Sequence, residues 1–178
     1  MRVLIVVASQ TGRTRRMAEA AAEGARSAGA EVLVRSSDEA SEADVIAADA
    51  LMLGSGVHMG GIESSMRSFF ERFSYLWLQG ALIGKVGAVF VSAGEGGSGG
   101  GELALLSLLA NLAEHGMILI PMHNRLDGFR SGGSHWGPLA RTNPLDGDPG
   151  PTAAQLDAVR AHGRYVAECT ARWLGSGA

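Results

Sequence analysis

Three hydroxyl side chains and a glycine lie close together near the start of the chain, in the stretch SQTGRT at residues 9–14. The stretch follows the apolar run RVLIVVA, which is typical of a strand buried on both faces of a parallel sheet. A loop that leads from such a strand into a helix presents unpaired N–H groups and a partial positive charge. Gly12 lets the backbone approach an anion closely, and the hydroxyl groups add donors. The stretch therefore predicts a site for an anion such as a phosphate monoester.

Two other phosphate-binding motifs do not fit this stretch. A Walker loop needs a lysine directly before its serine or threonine, whereas the only cation here is Arg13. A Rossmann loop needs G-x-G-x-x-G at this turn, which is also missing. Hydroxyl and amide groups are therefore expected to hold the anion. A well-capped helix without a ligand is the alternative.

Apolar patterns predict strands and helices that alternate along the chain and place this loop at the edge of a sheet. The predicted strands are 3–8, 31–35, 49–55, 86–92 and 117–121. Helices are predicted at 14–28, 63–73 and 101–114, and a last helix begins after Thr152 with a capping box to Gln155. The pattern predicts an α/β fold, a doubly wound five-stranded parallel sheet of order 2-1-3-4-5 with helices on both faces. We expect one domain over residues 1–178, in which the segment 122–151 shows no periodic pattern.

Composition and charge argue against several classes of function. The net charge is -3 over 178 residues. This argues against a nucleic-acid-binding protein, which needs a concentrated basic surface. No apolar run is long enough to span a membrane. Cys169 is the single cysteine, which suits a reducing compartment, and the chain enters its first strand without a cleavable signal, so we expect a cytoplasmic location. No metal site is expected, because the spacings of His123, His135 and His162 match no compact ligand set.

The stretch SQTGRT matches the S-x-T-G-x-T phosphate loop of the flavodoxins at every defined position. Longer stretches, GSGVHMGGIESSMRSFF (54–70) and LWLQGALIGKVGAVFVSAG (76–94), resemble the WrbA-type NAD(P)H:quinone oxidoreductases. The likeness continues through LAEHGMILIPM, GGSHWGP and QLDAVRAHGRYVA and covers nearly the whole chain. It implies a flavodoxin-like fold, FMN as cofactor, NADH or NADPH as electron donor, a quinone as acceptor, and a homo-oligomer that is a dimer or a tetramer.

The resemblance also implies which residues surround the flavin. The phosphate would be held by Ser9, Gln10, Thr11, Gly12, Arg13 and Thr14, and the ring would be lined by Gly56, Val57, His58, Met59, Ser92, Ala93 and Gly94. The family usually has Thr-Arg-Phe at positions 57–59, so here an aromatic wall is lost and an imidazole replaces a fixed cation. As a catalytic candidate, His58 would stabilise negative charge on reduced flavin or donate a hydrogen bond to substrate. The alternative is a surface histidine with no role.

Two residues outside these loops are candidates for the substrate pocket. Trp77 matches a family tryptophan that helps form the pocket, partly across a subunit interface, although it could equally be a core or interface residue. Glu114 is the second catalytic candidate, because it stands where the family commonly has a histidine that faces the active site. An acid there would repel the negatively charged hydroquinone and an anionic substrate. The next residue, His115, is interpreted as a helix C-terminal histidine favoured by the dipole.

Three functions stay open on the sequence. The first is two-electron reduction of quinones by NAD(P)H with FMN, in ping-pong order through one shared pocket. The second is a flavodoxin-type electron carrier, which the mild net charge of -3 fits poorly because such carriers are usually strongly acidic. The third is a flavin-free binding protein with the same fold, which the departures at 57–59 and Glu114 keep open.

Overall fold

The computed structural model of the protein describes residues 1–94, 98–142 and 150–175. Its strands are β1 (Arg2–Ala8), β2 (Glu31–Ser36), β3 (Ala50–His58), β4 (Gly61–Ile62), β5 (Val86–Ala93), β6 (Ile118–Leu119), β7 (Gly133–Ser134) and β8 (Gly137–Arg141). Its helices are α1 (Arg13–Ser27), α2 (Glu42–Ala47), α3 (Ser64–Arg72), α4 (Tyr75–Leu78), α5 (Ser98–Glu114), α6 (Phe129–Gly132) and α7 (Ala153–Trp173). The predicted alternation of strands and helices is present, and the capping box of Thr152 and Gln155 at the start of α7 is confirmed.

The main sheet has the order β2-β1-β3-β5-β8, and these strands are parallel. β4 forms an antiparallel hairpin with β3, and β7 pairs antiparallel with β8. The first four positions of the predicted order are confirmed, because β2, β1, β3 and β5 correspond to predicted strands 2, 1, 3 and 4. β1, β3 and β5 end at one side of the sheet, the carboxyl edge, and begin at the other, the amino edge. The loop after β1 lies at the carboxyl edge.

The fifth position of the sheet differs from the prediction. Of the predicted strand 117–121, only β6 pairs with a neighbour, at the first two residues of β5. The last three residues of β5 pair with β8 instead. β8 lies in the segment 122–151, and its sequence GPLAR shows no alternation because it is short and contains a glycine and a proline. The fifth strand is therefore split, and residues 120–132 lie between β6 and the hairpin of β7 and β8.

The sheet separates two apolar clusters, and each is covered by helices. Leu4 of β1 packs in the cluster beneath α3 and α5, and its neighbour Ile5 packs in the cluster beneath α1 and α7. α1 and α7 approach each other closely through glycines. A Cβ atom at Gly163 would overlap the carbonyl oxygen of Ala21, so the two backbones are in direct contact there. The packing therefore fixes α1, and with it the loop that α1 follows.

One histidine is enclosed on the α7 side of the sheet. His162 is fully buried, and its Nε2 lies 3.2 Å from the carbonyl oxygen of Ile120. Its Nδ1 has no hydrogen-bond partner among the described residues. Burial lowers the pKa of His162 from 6.5 to about 4, because a charged imidazolium would lose its hydration there. The folded protein therefore holds this side chain neutral near neutral pH.

We predict that His162 makes the protein less stable in acid. Between pH 6.5 and pH 4 the unfolded chain protonates this imidazole and the folded chain does not. The free energy of unfolding should therefore fall by about 3 kcal/mol over that range through this group. Urea unfolding at several pH values measures the effect in the wild type and in His162→Gln, with His135→Gln as an exposed control. The prediction fails if wild type and His162→Gln lose stability equally as the pH falls.

Candidate functional site

The loop between β1 and α1 has the geometry of an anion-binding turn. Gly12 has a φ of 81° and precedes α1, and its carbonyl oxygen accepts the N–H of Arg16 over 3.0 Å. A Cβ atom at this position would meet nothing within 4 Å, so the left-handed backbone, and not crowding, favours glycine. The N–H of Arg15 donates to Ser9 Oγ over 3.2 Å, which closes the loop. The loop thus presents the first N–H groups of α1 at the carboxyl edge.

A groove of about 480 Å³ lies beside this loop. Its lining is rich in hydroxyl groups and comes from the ends of β1 and β2 and the starts of α1 and α3: Val7, Ser9, Gln10, Gly12, Arg15, Ser36, Ser37, Asp38, Glu63, Ser64 and Ser65. Hydroxyl and amide donors at the N-terminus of a helix are the groups that bind a phosphate monoester. The lining therefore fits a phosphate monoester, and the identity of that ligand as FMN stays a prediction.

Two of the hydroxyl groups expected around the cofactor are bonded to each other. Thr14 is 2% exposed and Ser92 is 6% exposed, and their Oγ atoms are 2.8 Å apart. The bond joins the first turn of α1 to the end of β5. These two side chains therefore tie two loops of the site together, and contact of either hydroxyl with a cofactor stays a prediction.

The end of β3 brings the next predicted loop to the same edge. Val57 is half-buried against the core, whereas the side chain of Met59 is fully exposed on a backbone with a φ of 50°. His58 lies between them with its side chain 41% exposed. It lines a second groove of about 640 Å³ that shares Gln10 and Ser64 with the first. The structure thus places His58 beside the loop 9–14.

A buried carboxylate, which the sequence analysis missed, links these two loops. Glu63 directly precedes α3 and is 3% exposed. Its Oε1 accepts the N–H of Gln10 over 3.3 Å and lies 3.2 Å from Nε2 of His58. Its own N–H donates to Oγ of Ser55 over 2.9 Å. A Cβ atom at Gly56 would lie 2.5 Å from Oε1, so the glycine makes room for the carboxylate.

The third predicted loop is described only in part. β5 ends at buried Ala93, and Gly94 is exposed; residues 95–97 lie outside the described residues. The glycine run contributes to the first turns of α5, which begins earlier than predicted. A Cβ atom at Gly100 would contact Cγ1 of Val57 at 3.3 Å. The start of α5 therefore packs against the loop that carries His58.

Two predicted pocket residues lie at the amino edge instead. Trp77 is on α4 and is 51% exposed, and Glu114 is exposed at the last residue of α5. The chain after α5 returns to the start of β5, where the N–H of Gly84 donates to the carbonyl oxygen of Gly116. One chain therefore does not bring Trp77 or Glu114 to the carboxyl edge, and a contribution of either to the pocket would come from a second chain.

His115 also differs from its expected state at the end of α5. Its side chain is half-buried, and its Nδ1 has no hydrogen-bond partner within the described part of the chain. Burial lowers the pKa of His115, and the attraction of Glu114 opposes this only in part. Burial therefore has a larger effect on its charge than the attraction of Glu114.

Two features are absent from the residues that the structure describes. No group of three or more His, Cys, Asp or Glu side chains among them could hold a metal ion. None of their helices combines the length and apolar character needed to cross a membrane.

The sheet order, together with a hydroxyl-rich loop at the N-terminus of α1, defines a flavodoxin-like protein. A flavodoxin domain model matches residues 4–84. The chain superimposes on a WrbA-like flavodoxin from Agrobacterium tumefaciens with a TM-score of 0.77 and 25% identity, covering 96% of this chain and 98% of that one. A flavodoxin from the domain Archaea, at 24% identity and a TM-score of 0.73, covers 96% and 99% and shows the same fold.

Curated relatives extend this comparison over the full length. Proteins named NAD(P)H dehydrogenase (quinone) from Brucella canis and Brucella suis are each 34% identical over an alignment that covers 98% of this chain and 100% of theirs. The chain therefore belongs to the NAD(P)H dehydrogenase (quinone) family. The fold class and the WrbA-type resemblance inferred from the sequence are confirmed.

We predict that the buried bond between Thr14 and Ser92 stabilises the site. In Thr14→Val the Ser92 hydroxyl loses its partner while the side-chain volume is kept, so the free energy of unfolding should fall by about 1–3 kcal/mol. In Thr14→Val/Ser92→Ala no buried hydroxyl is left unpaired, and much of the loss should be recovered. Urea unfolding measures all three proteins, with exposed Ser68→Ala as control. Equal losses in the single and double variants would contradict this role.

Proposed function

We propose that the chain is an FMN-dependent NAD(P)H:quinone oxidoreductase with its pocket at the carboxyl edge. The observation that carries the proposal is the hydroxyl-rich groove at the start of α1, which the buried hydrogen bond between Thr14 and Ser92 ties to the end of β5. The names of the curated relatives support the choice of donor and acceptor. When bound, FMN accepts a hydride from NADH or NADPH and passes two electrons to a quinone.

The residues of the chain bind and orient the reactants. The loop 9–14 holds the phosphate with its N–H groups and the hydroxyls of Ser9 and Thr11. The turn 56–59 would border the ring, and the start of α5 packs against that turn where Gly100 meets Val57. His58 is partly exposed at the mouth, where it can donate a hydrogen bond to substrate or offset negative charge.

One open pocket has a consequence for the order of binding. Donor and acceptor must both reach the same face of the ring, so they exclude each other. The donor leaves before the quinone enters, and the enzyme alternates between an oxidised and a reduced form. The resulting mechanism is ping-pong.

We further propose that all 178 residues form one domain that assembles as a homo-oligomer, a dimer or a tetramer. Large apolar side chains are exposed at the amino edge, notably Trp77, Leu78 and Ile83. A second chain would cover this surface and could bring Trp77 or Glu114 to a pocket that a single chain leaves without them. The single cysteine, Cys169, supports a reducing compartment, and we propose the cytoplasm.

We expect the purified protein to retain a flavin absorption band after addition of FMN and gel filtration. The loop 9–14 and its groove provide the donors for that binding. A flavoprotein that then consumes NADH or NADPH only when a quinone is present is the proposed enzyme. Retention of flavin without such consumption would favour the electron carrier, and no retained flavin would favour the flavin-free binding protein.

We expect parallel lines in double-reciprocal plots when NADH and quinone are varied together. A shared pocket requires the donor to leave before the acceptor binds. In that order the concentration of one substrate does not change the slope of the plot for the other. The same assay with NADPH compares the two donors. Intersecting lines would argue against a single shared pocket while leaving the enzymatic activity itself in place.

A further inference from the structure

The carboxylate of Glu63 lies where the phosphate-binding loop would meet its ligand. Its Oε1 accepts the N–H of Gln10 over 3.3 Å, and it lines the same groove as Ser9 and Gly12. A phosphate oxygen held by this loop needs the same kind of donor in the same direction. One N–H group cannot serve two anions fully, so the carboxylate and the phosphate compete for it.

The fold holds this carboxylate in place. Glu63 is 3% exposed, and its backbone N–H is bonded to Oγ of Ser55, which itself donates to the carbonyl oxygen of Gly56. The absence of a side chain at Gly56 leaves the space that Oε1 fills. The carboxylate is therefore a built part of the groove and is not a surface side chain that turns away into water.

The imidazole of His58, which carries a positive charge when protonated, lies at this carboxylate, with its Nε2 3.2 Å from Oε1 of Glu63. The other charges that line the groove are Arg15 and Asp38. Nε of Arg15 donates to Glu19 over 2.9 Å, and Asp38 adds a further negative charge. Nε2 of His58 lies within hydrogen-bond distance of this carboxylate, so a proton on that nitrogen would offset part of the Glu63 charge that an incoming anion meets.

We propose that Glu63 is a built-in competitor of the FMN phosphate, and that His58 offsets its charge. The inference rests on the proposed function, because it assumes that FMN is the ligand of the loop. A carboxylate and a phosphate within a few ångströms repel each other, and removal of the carboxylate charge should tighten FMN binding by roughly tenfold or more. The chain thus holds FMN more weakly than its loop alone would allow.

Quenching of flavin fluorescence measures the dissociation constants of FMN and of riboflavin, which has the same ring and no phosphate. Glu63→Gln and Glu63→Ala should each bind FMN roughly tenfold more tightly than the wild type. Both should bind riboflavin as the wild type does, because the effect acts on the phosphate. Glu71→Gln removes an exposed acid from the same helix and should leave both constants unchanged. Circular dichroism checks folding, and the alanine variant serves if the glutamine variant does not fold.

The role of His58 is tested in two backgrounds. His58→Gln should weaken FMN binding when Glu63 is present, because the carboxylate charge is then no longer offset. In the Glu63→Gln background the same change should have a much smaller effect. Any direct contact of His58 with the ring would change the affinities for FMN and riboflavin equally. The ratio of the two affinities therefore reports only the effect on the phosphate. An equal loss in both backgrounds would overturn the part assigned to His58.

Other outcomes separate this inference from the proposed function. If the wild type binds FMN and turns over NADH with a quinone, but neither Glu63 variant binds FMN more tightly, the competition is refuted and the enzyme stands. An equal gain for riboflavin would also refute it, since the effect would then act on the ring. If neither the wild type nor any variant binds either flavin, both proposals fail.

Discussion

The burial of β1 on both faces fixes where this chain can bind a ligand. From Val3 to Ala8 no side chain is more than 2% exposed, and successive residues enter opposite clusters. A shift of one residue against β3 would exchange the two sets of side chains, so the register is strongly specified. The register in turn sets the point at which β1 ends, and hence the position of the loop 9–14 relative to the ends of β3 and β5.

Polar contacts of buried side chains join the loops of the carboxyl edge. The hydroxyls of Thr14 and Ser92 join the first loop to β5, and the carboxylate of Glu63 joins it to the turn after β3. In such surroundings an unpaired donor or acceptor destabilises the fold by more than a typical hydrogen bond stabilises it. The loops are therefore coupled, and a change in one of them alters the geometry of the others.

The sequence predicted those parts of the molecule that are formed by residues adjacent in the chain. The apolar runs of β1, β3 and β5 and the residues 9–14 carry local signals, and each lies where expected. α2 was missed because its six residues bury only Val45, and β8 was missed because it is too short to show alternation. The contact of Glu63 with Gln10 joins residues 53 positions apart, for which no spacing rule exists. A glutamate ahead of a helix is ordinarily interpreted as a surface acid that favours the helix dipole, so its burial could only be found in three dimensions.

The split fifth strand also sets a sequence of events as the chain leaves the ribosome. β5 is complete once residue 93 has been made, yet on the side away from β3 its last three residues find a partner only when β8 emerges at residues 137–141. In the interval the nascent chain displays an open strand edge flanked by apolar surface, which is a template for pairing with other chains. The period between the emergence of β5 and that of β8 is thus a stage of synthesis at which this strand edge is open to pairing with other chains.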